Sequence, residues 1–199
     1  MPNSTSEDTT IHQCFGKNQN IAWICKTAVP KVIPDIHLCT ANITVDLLTT
    51  GGQRRLFTVW SEARDKSRRT VPDRSDIDIL DLWECMGNLS MLAVEGDGES
   101  FRYLVHGTNI ARDYGEDLTG KRITDIPSDT SNILLEIYRT VWREQRPYLT
   151  RMNANNVSFV DIIERFLLPL THGGDEVARI IVGCYPLSFR KKPDQFLAE

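Results

Sequence analysis

The segment Gly115-Glu116-Asp117-Leu118-Thr119-Gly120-Lys121-Arg122 comes within one residue of a phosphate-binding loop. A nucleotide loop needs Ser or Thr after its lysine, because that hydroxyl ligates magnesium, and here Arg122 stands there. Such a loop also springs from a buried parallel strand, whereas a polar helical turn precedes this one. Gly115 and Gly120 are better explained as turn positions, where a side chain would clash or a positive φ is required. Asp76, Asp78 and Asp81 lack the spacing and the turn glycine of a calcium loop, so caps and surface charges account for them. The five cysteines are scattered, with no C-x-x-C pair and no Cys/His spacing suited to zinc. No nucleophile–base pair accompanies them, and hydrolase or transferase chemistry ranks last.

Other residues suit binding better than catalysis. Strict alternation through Ser100–Gly107 puts Phe101, Tyr103 and Val105 on one face and Arg102, Leu104 and His106 on the other. Tyr103, Val105, Tyr114, Tyr138 and Trp142 are the candidates to line a ligand pocket, with ordinary aromatic packing as the alternative. By the same alternation His106 and Leu104 look away from that pocket. Together with Trp60 they are the candidates for an interface with the N-terminal helix or a partner, and His106 would bring some pH sensitivity. Glu164-Arg165 interrupts an otherwise apolar strand. One of the two must face the core side, which is costly unless the charge is paired, so the pair should mark a pocket edge or an interface.

The chain has 199 residues, 41% hydrophobic and 25% charged, with net charge -4. These values suit one soluble domain with an extension and give no sign of a nucleic-acid partner. A local basic run, Arg54 to Arg74, is either a solvated helix face or a docking patch for an acidic partner. The N-terminus is polar and acidic, unlike a secretory leader, and no apolar run approaches the ~20 residues of a membrane span. Reduced thiols and a cytoplasmic location are therefore expected.

The elements that would position these residues follow from periodicity. Residues 1–48 form an extension of mixed composition, ordered or not, and Gly51-Gly52 marks a break. Leu56, Val59, Trp60 and Ala63 make a helical stripe in a helix from Leu56 to about Arg69. Leu80, Leu82, Trp83 and Met86 are apolar anchors beyond Pro72. Leu89–Glu95 and Ser100–Gly107 are strands around a Gly96-Asp97-Gly98 hairpin. A strong helix over 128–145 follows, capped by Ser128 or Asp129. Strands at 147–153, 159–170 and 177–187 close the domain, which spans 49–189, and 190–199 is a charged tail. Strands joined by short turns favour an antiparallel sheet in an α+β arrangement.

The run F-R-Y-L-V-H-G-T followed by Y-G-E-D-L-T-G-K-R-I-T-D-I resembles the core of the PAS superfamily. Trp60, the stretch Pro72-Asp73-Arg74-Ser75-Asp76-Ile77-Asp78, and Leu167-Leu168-Pro169-Leu170 with Gly173-Gly174 are similar to a bacterial, largely alphaproteobacterial branch of stand-alone PAS-like proteins. The resemblance covers roughly Leu56 to Phe189. It implies a five-stranded antiparallel sheet with helices on one face and an N-terminal flanking helix. It further implies a signalling module that senses a small molecule, mediates protein interaction, or both. The partners it implies are a homodimer mate, a signalling protein acted on in trans, and a small-molecule ligand. The resemblance implies a pocket for a small ligand or cofactor and does not specify which. Ligand or partner binding would favour one arrangement of the flanking helix against the sheet.

Overall fold

A computed structural model of the chain describes residues 36–126, 129–154, 157 and 159–189. The first 35 residues, the Ser128 cap and the tail 190–199 lie outside the described residues. Six strands form one antiparallel sheet: β1 (Ile36–Thr40), β2 (Leu89–Glu95), β3 (Ser100–His106), β4 (Tyr148–Asn153), β5 (Val160–Thr171) and β6 (Val177–Phe189). Their order is β1-β4-β5-β6-β2-β3. The five expected strands are β2 to β6. The sixth comes from the extension, where Ile36, Leu38, Cys39 and Thr40 pair with the free edge of β4. Five residues after a proline-rich stretch carry too little alternation to announce a strand. A neighbouring edge supplies the missing hydrogen bonds.

Helices cover both faces. On the inner face lie α2 (Thr108–Tyr114) and α3 (Asp129–Glu144). The stripe Leu134, Ile137, Tyr138 and Val141 of α3 is buried against Leu92, Phe101, Leu167 and Ile180 of the sheet. On the outer face lies α1 (Gly51–Ser67), whose Leu56, Val59, Trp60 and Ala63 pack on Leu149, Phe166, Leu168 and Ile181. The central strands are therefore apolar on both sides, which is why β5 and β6 read as continuous apolar runs.

Gly51-Gly52 is the first turn of α1 and not a break. The Thr50 hydroxyl accepts the Gln53 N–H at 3.2 Å, and Gln53 Oε1 accepts the Thr50 N–H at 2.9 Å, so two orphan donors are satisfied. Beyond α1, a 3-10 segment over Ile79–Asn88 leads into β2. Of its four expected anchors only Leu82 is buried; Leu80, Trp83 and Met86 are exposed. The tighter 3-10 winding gives it three residues per turn, so the 79–88 apolar set cannot share one face with the sheet. Capping there is by Asp73 and Asp78, while Asp76 accepts the Asp73 N–H and Asp81 pairs with Arg55. No helix among the described residues is long and apolar enough to cross a membrane.

Candidate functional site

The polar residues closest to chemistry converge on a cavity of about 60 Å³ between the inner face and α2/α3. Its position follows from β3 and the segment after it. At the end of α2, Gly115 adopts φ 88, and Gly120 adopts φ 85. The intervening segment folds back on β3: Gly120 N–H donates to Tyr103 O at 2.7 Å, and Tyr103 N–H donates to Lys121 O at 2.9 Å. Leu118 and Ile123 then close one side of the cavity. Lys121 is engaged by Glu116, and Asp117 caps Thr119, so this loop spends its polar groups on itself.

A β-bulge decides which side chains enter. Leu92 pairs with Tyr103 and Met91 with Val105, leaving Leu104 as an extra residue in β3. A one-residue insertion moves everything after it to the opposite face. The alternation expected for β3 therefore fails after Tyr103. Val105 is 51% exposed on the outer side and does not line the cavity. His106, expected on the outside, is buried on the cavity wall. Leu104 is 38% exposed.

Tyr103, Tyr114 and Tyr138 all line the cavity. The Tyr103 and Tyr138 hydroxyls stand 3.5 Å apart, and the His106 ring sits edge-on to Tyr103 and Tyr114. Trp142 does not reach the cavity. It lies one turn beyond Tyr138 and packs over Gly98 of the β2–β3 hairpin, where a Cβ would meet its ring at 2.6 Å. Trp60, expected at an interface, is buried within the chain, and its indole N–H donates to Pro169 O at 2.8 Å. The flanking helix itself covers that surface.

The cavity wall is electrically simple. Burial holds the Tyr103 and Tyr138 phenols above their ordinary range, and their mutual proximity adds to the effect at Tyr103. Burial also raises the Cys184 thiol, against the pull of Arg165. Burial lowers His106, with Asp117 acting the other way. Leu118 N–H donates to His106 Nδ1 at 3.2 Å, which assigns the proton of the neutral ring to Nε2. At neutral pH Arg165 is thus the single charged group among the described lining residues.

Glu164 and Arg165 divide between the faces as adjacent strand residues must. Glu164 lies on the outer side, fully buried. Its Oε1 accepts from Gln53 Nε2 at 2.6 Å and Thr49 Oγ1 at 2.8 Å, and its Oε2 pairs with Arg151. Arg165 lines the cavity, half-buried, with Nη1 3.4 Å from Met152 Sδ and the Cys184 thiol bonded across the strand pair. The parity of Arg165 with Ile163 and Leu167 was visible in the sequence. Because both faces of β5 are apolar, that parity could not say which one held a cavity. Ser131 and Cys184, also on the wall, carried no signal at all.

Among the described residues no group of His, Cys, Asp and Glu side chains is arranged to hold a metal ion. Compared with known proteins, residues 49–185 match a family model described as PAS domain. No curated protein and no solved structure matches.

Proposed function

The chain belongs to the PAS domain family, a family of sensory and interaction modules, and from that premise we propose that it senses a small molecule in the cavity beneath α3. The observation that carries this is the cavity itself. It is walled by apolar groups and by a few convergent polar ones from β3, α3, β5 and β6, the composition of a ligand site. At about 60 Å³ it suits a compact metabolite. A flavin or haem would need it to expand several-fold.

The route outward runs along β5. Arg165 touches the cavity, and its neighbour Glu164 holds the first turn of α1 through Gln53 and Thr49. A ligand that shifts Arg165 shifts the backbone that carries Glu164, and so biases α1 against the outer face. The recipient is a signalling protein acted on in trans or a second copy of the chain. Native mass spectrometry of freshly expressed protein, with a thermal-shift screen of metabolites, tests the proposal. A retained small molecule, or a ligand that raises Tm and alters hydrogen exchange at Thr50–Gln53, is the expected result. Neither retention nor a shift across the panel would remove the sensing role.

A second role, interaction without a ligand, has its own observation. Leu80, Trp83 and Met86 are 72%, 67% and 47% exposed along the 3-10 segment beside α1. Sedimentation velocity over a range of concentrations separates the two: reversible dimers abolished by Trp83→Ser favour interaction, and a strict monomer opposes self-association.

A further inference from the structure

The cavity contains a charge without a counter-charge. Arg165 cannot discharge itself by losing a proton in a protein, so its guanidinium stays cationic on a wall of neutral groups. No described carboxylate lies within salt-bridge reach of it. Its closest partners among the described residues are the thioether of Met152 and the thiol of Cys184, both weak acceptors. The contrast with Glu164, one residue earlier, is instructive. That buried carboxylate has Arg151, Gln53 and Thr49 around it. A cation held in a low-dielectric wall is costly unless an anion meets it.

We propose, building on the cavity as a ligand site, that its occupant is a small monocarboxylate whose carboxylate sits on Arg165. The planar guanidinium fork matches a carboxylate edge to edge. One positive charge among otherwise neutral wall groups balances one negative charge, which disfavours a dianion. The Tyr103 and Tyr138 hydroxyls and that of Ser131 supply neutral donors on the same wall. Ile163, Leu134 and Val182 supply an apolar surface for the remainder of the molecule. At roughly 10–15 Å³ for each water-sized group, a volume of about 60 Å³ admits about four to six non-hydrogen atoms. That is the size of propionate, butyrate or pyruvate.

The test uses the full chain. Isothermal titration calorimetry and ligand-observed NMR are run with propionate, butyrate and pyruvate, with propionamide and butyramide as neutral isosteres, and with inorganic phosphate. At least one carboxylate should bind at least tenfold more tightly than its amide and than phosphate. Arg165→Gln should weaken that carboxylate at least tenfold, and Arg165→Lys should weaken it less. The carboxylate–amide contrast stands on the unaltered protein, so it decides the matter even if the Arg165 variants do not fold. Equal binding of acid and amide would overturn the anion while leaving the cavity as a ligand site. Carboxylate binding indifferent to Arg165→Gln, or phosphate outcompeting every carboxylate, would also overturn it. Failure of every probe, charged and neutral, would overturn the monocarboxylate, while the ligand site itself stands or falls with the native mass spectrometry and the metabolite screen.

Discussion

His106 shows how one buried side chain makes stability depend on pH. Burial keeps its folded-state pKa below the ordinary value of 6.5, and Asp117 offsets this only in part. As pH falls, the unfolded chain takes up the proton before the folded one does. The contribution of the neutral ring is complete above the unfolded value and drains away below it. Tm of the wild type should therefore fall more steeply as pH drops below about 6.5 than that of His106→Asn, whose amide oxygen can still accept the Leu118 N–H. Parallel slopes in a pH series of thermal melts would contradict this. Trp60 gives a second residue-scale expectation. Trp60→Phe keeps much of the packing but leaves Pro169 O without its buried donor. A loss of about 1–3 kcal/mol in urea unfolding is expected.

At the scale of elements, close backbone approaches and buried caps decide where segments sit. Gly107 begins α2 at the point where the 3-10 segment passes it, and a Cβ there would lie 2.5 Å from Gly87 O. Because the obstacle is main chain, no rotamer change relieves it. Gly107→Ala should cost about 1–3 kcal/mol, read from the urea midpoint, and should loosen the α2 side of the cavity. The start of α1 depends on polar groups instead. Gln53 is fully buried and serves both the Thr50 cap and Glu164. Gln53→Leu strips a hydrogen bond from a buried carboxylate and should cost about 1.5–3 kcal/mol. Faster hydrogen exchange confined to the first turns of α1 would show the cap as the origin; uniform acceleration would not.

For the whole molecule, the two apolar clusters lie on opposite faces of the same strands. Leu167 and Val182 belong to the inner cluster, while their neighbours Phe166, Leu168 and Ile181 belong to the outer one. Losing either cluster would uncover one face of the same two strands that carry the other. The described domain should therefore unfold in one cooperative transition. Single-tryptophan variants that keep Trp60 or Trp142 report on the outer face and on the β2–β3 hairpin, respectively. Their fluorescence midpoints in urea should coincide with the far-UV circular dichroism midpoint. Separate midpoints would show that α1 detaches on its own, which would make the flanking helix an independent switch.

Periodicity and turn chemistry made much of the molecule legible. The stripe of α3, the strands β2 to β6, the hairpin at Gly96–Gly98 and the ordered motifs of the PAS family could all be read along the chain. Such features depend on each residue and its neighbours within a turn or two. Five side chains were candidates for one pocket on that reading; Tyr103, Tyr114 and Tyr138 line the cavity, and Val105 and Trp142 do not. The occupants of the cavity wall were decided by tertiary structure. An unpaired Leu104, visible only against β2, exchanged Val105 for His106. The covering of both faces by helices hid Trp60 and made the two sides of β5 look alike, so the aim of Arg165 stayed ambiguous. A strand pattern has a period of two and says which residues face together. Which face meets water, a helix or a hollow is set by partners distant in the chain.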